Sequence, residues 1–279
     1  MMLVNLLDRY SIIEVTGKDH LDFLQGQLTN DVKKNKKSFI YSGMCNPKGR
    51  LIAFLRILKI PNFNSIFIVI PSSLTEAIQK RLTMFVLRSN VVIQKADDFN
   101  LIGIIDGSLN YDVPSDQKLT LPDQTNRSVM ISNDPDTFNQ VKAKHAFEDI
   151  SCWIKEDIKS GIPEVMEQTQ EKFLAHTCNL DLIDAINFKK GCYTGQEIVA
   201  RTHYLGKPKH RCFCGVVNSE VSLDYGDQIF NNDVSVGTVV NFIYSEGKTF
   251  ILFEKTLNVN NDSFYIKGEK IEITKSFIN

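Results

Sequence analysis

Long apolar runs are missing from this 279-residue chain, and their absence narrows its setting first. The two most apolar stretches, 51–60 and 66–70, fall far short of the ~18 residues a membrane-spanning helix requires. Arg56 and Lys59 also interrupt the first of them. The N-terminus lacks the basic start and sustained apolar core of a secretory signal. A soluble, cytoplasmic protein with no membrane partner is therefore expected. Charge of one sign is lacking too: 32 Lys and Arg stand against 33 Asp and Glu, a formal net charge of −1. Nucleic acid would have to be held by a local patch, because no overall field attracts it. The six cysteines form no Cys-x-x-Cys pair, so neither a disulfide framework nor a resident metal is indicated. Cys212 and Cys214 come nearest to a pair; alternating along a strand they face one way, as two small core residues also would.

What is present reads as an α+β body followed by a small all-β domain. A strand is predicted over 10–15 and a helix over 19–28, with Asp19 as N-cap. Residues 66–70, 74–87 and 91–94 read as strand, helix and strand. In the helix Leu74, Ala77, Ile78, Leu82 and Phe85 fall at helical spacing. Further strands are expected over 101–106 and 128–131, and helices over 138–147 and 153–159. The segment 106–126, rich in Asp, Pro, Ser and Asn, reads as an irregular excursion. Beyond 210, short β-type runs at 212–217, 234–244, 249–254 and 264–273 are separated by turn residues, which suggests a barrel or sandwich. The boundary is placed near 206–209.

The segment with most chemistry is 188–202. Thr194 and Glu197, ahead of Ile198 and Val199, have the spacing of a capping box, which predicts a helix starting at Thr194. Gly191 and Gly195 permit tight turning and close approach to a ligand. Cys192 then lies just outside a helix N-terminus, with Lys189 and Lys190 before it. A helix dipole and nearby ammonium groups favour the thiolate, although a small buried residue beside a capped helix is the plainer reading. Between 189 and 211, Lys189, Lys190, Arg201, Lys207, Lys209 and Arg211 are set against Glu197 alone, a positive patch fit for a carboxylate ligand or an RNA phosphate. The lysine cluster over 33–37 reads as a solvated loop. Near the N-terminus Thr29-Asn30-Asp31 ends a helix, and Cys45-Asn-Pro-Lys-Gly-Arg50 is a turn before a strand.

Lys190-Gly-Cys-Tyr-Thr-Gly-Gln-Glu197 resembles the signature octapeptide of the YgfZ family, whose relatives include mitochondrial iron–sulfur assembly proteins. The flanks 179–181, 186–189 and 199–202 resemble the family as well. So do 23–31 and 41–50 in order and spacing, and more distantly these resemble the glycine-cleavage T-protein. The similarity spans about 8–211. It implies a cloverleaf of α/β subdomains around a central channel for tetrahydrofolate or a one-carbon derivative. Residues 1–205 would form this body, with an inner subdomain near 50–100, and 206–279 a C-terminal β-barrel. By the same resemblance Cys192 is the functional thiol, with Lys190 and Tyr193 beside it. Asn30, Asp31, Gly191, Gly195, Gln196, Glu197 and Arg201 are the expected folate-binding set. The partners implied are folate and iron–sulfur client or assembly proteins, with an indirect link to tRNA modification; direct tRNA binding is the weaker expectation.

Two departures bear on chemistry. Where the T-protein carries an Asp pair, an ungapped alignment puts Ala53 and Phe54, neither of which exchanges a proton. That argues against a folate-dependent aminomethyltransferase, the main alternative beside a non-catalytic RNA-binding module. Where relatives carry Arg-Ile-Glu-x-Gly-x-Pro, this chain has Asp157-Ile-Lys-Ser-Gly-Ile-Pro163. The two charges are exchanged, which leaves either a reversed ion pair or a drifted site.

Overall fold

Strands that alternate between two buried faces decide how this chain divides. The computed structural model describes residues 2–61, 63–106, 118–123, 125–259 and 263–278. Much of the excursion expected over 106–126 lies outside these residues. β1 (Leu3–Leu6) and β2 (Tyr10–Thr16) follow one another but enter different sheets. With β2 go the helix α1 (His20–Gln25), then β3 (Phe39–Cys45), β4 (Leu51–Leu58), β5 (Ile66–Pro71), the helix α2 (Thr75–Met84) and β6 (Val92–Lys95). Their strands make an antiparallel five-stranded sheet ordered β3-β4-β5-β2-β6. This unit begins at Tyr10, not near residue 50 as expected. β7 (Asn100–Ile105), β8 (Lys118–Thr120) and β9 (Arg127–Ser132) join β1 in a sheet ordered β1-β7-β9-β8. The helices α3 (Pro135–Lys144) and α4 (Ser151–Lys159) come next, and a long irregular stretch leads to α5 (Gln196–Tyr204). Six strands then close a barrel: β10 (His210–Val217), β11 (Gln228–Asn231), β12 (Val234–Ser245), β13 (Lys248–Thr256), β14 (Phe264–Ile266) and β15 (Glu269–Ser276).

Several expected elements shift for identifiable reasons. Asp19 does not cap α1; its carboxylate accepts instead from the Asn90 amide at 2.7 Å, and the helix stops after six residues. On α2, Leu74, Ile78 and Leu82 are buried at its core face, whereas Ala77 and Phe85 are exposed. α3 starts earlier than expected because Asp134 accepts from the Asp136 and Thr137 amides and Pro135 occupies the first turn. The run 264–273 is a hairpin turning at Lys267 and Gly268, both at positive φ.

β4 is buried along its whole length because both faces of its sheet are covered. Ala53, Leu55 and Ile57 face a core shared with α1 and α2, while Phe54 and Leu58 face the centre of the molecule. That central core draws Tyr41 and Val69 from the first sheet, Leu101 and Val129 from the second, and Trp153 and Ile158 from α4. Cys212, Cys214 and Leu252 enter it from the barrel. The two alternating cysteines do face one way, into this core, where the Cys214 thiol donates to the Ile158 carbonyl at 2.7 Å.

Candidate functional site

Three sequence segments far apart in the chain meet at the octapeptide. Lys190 is buried and turns its ammonium inward, donating to the carbonyls of Gln25 at 2.7 Å, Asn30 at 3.0 Å, and Leu28. These oxygens lie at the end of α1 and in the turn after it, where helix carbonyls want a cation. Burial lowers the Lys190 pKa to about 8, against the opposing pull of Asp31. The Tyr193 ring lies 5.0 Å from the same ammonium, and burial pushes its phenol upward. The Thr194 amide donates to the Gly26 carbonyl at 3.3 Å.

The predicted capping box is absent. α5 starts at Gln196, and Gly195 ahead of it is left-handed with φ 85° and no side-chain cap. The reason is crowding: a Cβ on Gly195 would stand 2.4 Å from the Asn46 carbonyl oxygen and 3.2 Å from the Cα of Gly49. The octapeptide turn is pressed against the 46–49 turn, and the left-handed Gly195 there breaks the helical backbone, so α5 begins after it. Gly191 has no protein atom within 4 Å of such a Cβ, leaving open space beside it. Cys192, next in the chain, is the one exposed thiol of the six cysteines. Glu197 and Arg201 are exposed on α5, and Gln196 is half-buried.

Asn30 and Asp31, expected to touch the ligand, are tied into the protein. The Asn30 amide donates to the Tyr41 carbonyl at 2.8 Å and the Asp184 carbonyl at 2.7 Å, and its oxygen accepts from the Asp31 amide. Although burial pulls it up, the Asp31 carboxyl is held below its ordinary value by hydrogen bonds from the Lys34 amide, the Gln25 side chain and the Lys33 amide, with Lys190 nearby. Asn30 is thus tied to the Asp184 carbonyl, whose loop walls an open cleft of about 580 Å³. The cleft lies where the units meet, between Asp123, the α4 residues Glu156 and Lys159, Ile183 and Asp184, and the β15 end with Lys275 and Phe277. In the buried core, the cavity between Tyr10, Arg56 and Trp153 measures about 10 Å³, room for one water at most.

Beneath the cleft runs a chain of buried charges that the sequence reading missed. The Arg56 guanidinium donates to Asp157 at 2.9 Å and to Glu164 at 3.4 Å. Arg127 donates to Asp157 at 2.7 Å and to Asp123, a cleft residue, at 2.6 Å. Lys159 instead pairs with Glu156 at 2.7 Å, so the exchanged charges at 157 and 159 form no reversed ion pair. Arg56 was legible only as a charge interrupting the apolar run 51–60; its burial and its partners were not. The expected positive patch also changes, because Arg211 folds onto Asp181 at 2.8 Å and Lys190 points inward.

Among the described residues, no helix is long and apolar enough to cross a membrane. No protein-family model matches the chain. An uncharacterized protein of Haemophilus influenzae is 31% identical over 227 residues, spanning 80% of this chain and 76% of that one. The tRNA-modifying protein YgfZ of Hamiltonella defensa is 28% identical over 228 residues, 74% of this chain and 67% of its own length. That of Colwellia psychrerythraea is 28% identical over 248 residues, 81% and 73%. Among solved structures, glycine cleavage system aminomethyltransferase T of Bartonella henselae superposes with a TM-score of 0.71 at 13% identity, covering 97% of this chain and 83% of that one. The fold is that of the T-protein class, a mixed α/β body with a closed C-terminal barrel. The chain belongs to the YgfZ/T-protein-like family.

Proposed function

We propose that this protein binds tetrahydrofolate or a one-carbon derivative in the cleft at the junction of its units, and that it supports the assembly or repair of iron–sulfur proteins through the Cys192 thiol. Its relatives named tRNA-modifying fit a role that reaches tRNA indirectly, through iron–sulfur enzymes. The observation that carries this reading is the fastening of the octapeptide to the cleft wall. Lys190 binds the Asn30 carbonyl, the Asn30 side chain binds Asp184, and Asp184 lines the cleft, while Cys192 stays exposed.

The cleft suits such a ligand. Its volume falls within the ~300–1,000 Å³ of small-molecule sites. Asp123, Asp184 and Glu156 accept hydrogen bonds from ring N–H groups, Lys159 and Lys275 attract carboxylates, and Phe277 offers a ring face. In this reading Lys190 and Gly195 position the segment, and Tyr193 closes its base. Gln196, Glu197 and Arg201 present polar groups on the side of Cys192. A folate, when bound, supplies a one-carbon carrier. Aminomethyl transfer of the T-protein type has no support at β4, where Ala53 and Phe54 are both fully buried and without a titratable group.

Calorimetric titration with tetrahydrofolate, alongside quenching of Trp153, tests the cleft. Saturable binding that weakens in Lys159→Ala is expected; no heat and no quenching would overturn the folate reading. Complementation of a YgfZ-deficient strain tests the thiol: Cys192→Ala is expected to fail while expressing at wild-type level, and full complementation would remove the thiol from the function.

A further inference from the structure

Outside the cleft the fold assembles a second surface along the exposed face of α5, which takes in Glu197 from the end of the octapeptide. With Lys190 and Arg211 turned inward, the exposed cations left beside α5 are Lys189, Arg201, Lys207 and Lys209. The 46–50 turn adds exposed Lys48, because Gly49 packs on Ile198 of α5 so tightly that a Cβ there would meet it at 2.9 Å; Arg50 next to it is held instead by the Lys172 carbonyl at 2.5 Å. Five cations from two distant segments thus flank one helix that carries Glu197 as its acid, in a chain of net charge −1.

Rings lie at the far end of the same helix. Phe188 and His203 stack at 3.6 Å between centroids with 13° between planes. Tyr204 meets the His203 ring edge-on at 4.8 Å and is 64% exposed. A cationic stripe that ends on an exposed, firmly seated aromatic ring has the two parts by which proteins hold single-stranded nucleic acid: charges along the backbone and a ring for a base to stack on.

We infer that the exposed face of α5 binds single-stranded RNA, its phosphates along Lys48, Arg201, Lys207 and Lys209 and a base on Tyr204. Glu197 selects the sugar. Amid these cations a carboxylate weakens phosphate binding unless it accepts a hydrogen bond, and ribose has a 2′-hydroxyl to give where deoxyribose has none. This face shares Arg201 and Glu197 with the side of Cys192, but its test contains no folate and fails or stands apart from folate binding.

The test is fluorescence anisotropy of the full-length protein with a labelled oligouridylate of about twelve nucleotides, a length within the usual site sizes. Titrations would run between about 50 and 200 mM salt. Saturable binding is expected, with log affinity falling linearly against log salt. Lys207→Ala/Lys209→Ala should reduce that slope by about 1.4, two phosphates' worth for a single strand. Tyr204→Ala should weaken binding about tenfold, and DNA of the same length should bind more weakly than RNA. Lys80→Ala/Lys142→Ala, on α2 and α3, should change nothing. No binding at about 50 mM salt overturns the inference and leaves this face to an acidic protein partner. A slope unmoved by Lys207→Ala/Lys209→Ala, an affinity unmoved by Tyr204→Ala, equal binding of DNA, or an equal loss in Lys80→Ala/Lys142→Ala would each overturn it too.

Discussion

At the scale of single residues, the octapeptide is held by a lysine in an unusual place. Lys190 is buried against three carbonyls, and its folded pKa of about 8 lies below the ordinary 10.5. Below pH 8 the side chain is charged in both folded and unfolded chains, and the full cost of burying that charge weighs on the fold. Between pH 8 and 10.5 the unfolded chain binds more protons than the folded one, so stability from this group rises with pH. Unfolding by urea at pH 7 and pH 10, in wild type and Lys190→Met, reads the effect. The stability of wild type relative to the variant is expected to grow by on the order of 3 kcal/mol toward the higher pH. A difference that stays flat, or shrinks, would mean the ammonium is better solvated than the geometry indicates. The glycines divide similarly on local grounds. Gly195 is required by its left-handed φ and by the Asn46 carbonyl, whereas Gly191 faces open space.

At the scale of elements, β4 and α4 are joined by charge inside the core. Asp157 of α4 holds Arg56 of β4 with one oxygen and Arg127 of β9 with the other, and all three are almost wholly buried. Removing the middle member leaves two guanidiniums short of a partner, and breaking such a buried pair costs about 3–5 kcal/mol. Asp157→Asn should therefore lower stability by about 3 kcal/mol or more in denaturant unfolding. Lys159→Ala, two residues on, loses an exposed pair with Glu156 and should change stability by less than about 0.5 kcal/mol. Equal effects from the two substitutions would show that the ion chain does not join the sheets. The elements themselves were largely legible from apolar periodicity. Two of their ends were not, because Asp19 and Gly195 answer to segments elsewhere, the Asn90 amide and the crowding Asn46 carbonyl; the start of α3 is set locally by Asp134, ahead of the apolar pattern.

At the scale of the whole molecule, the barrel is not an appendage. Its Cys212, Cys214, Val240 and Leu252 lie in the same core as Trp153, Ile158 and the strands of both sheets. A boundary near 206–209 marks a change of texture in the sequence, but cutting there would expose that shared apolar surface to water. Calorimetry should accordingly show one unfolding transition with equal calorimetric and van't Hoff enthalpies. A residue 206–279 fragment should lack cooperative unfolding. Two resolved transitions, or a cooperatively folding fragment, would make the units independent.

The sequence by itself determined the apolar periodicity of the strands and helices, the β texture of the last third and the eight-residue motif that points to the family. These are local properties, and neighbouring residues suffice to express them. Only the tertiary structure decided that Lys190 and Arg211 face inward while the turn carrying Lys48 packs on α5. It also decided that Asn30 binds the Asp184 carbonyl, and that Asp157 belongs to Arg56 and Arg127 and not to Lys159. The physical reason is reach: charges and hydrogen bonds are satisfied across space, by whichever group the packed core brings within about 3 Å.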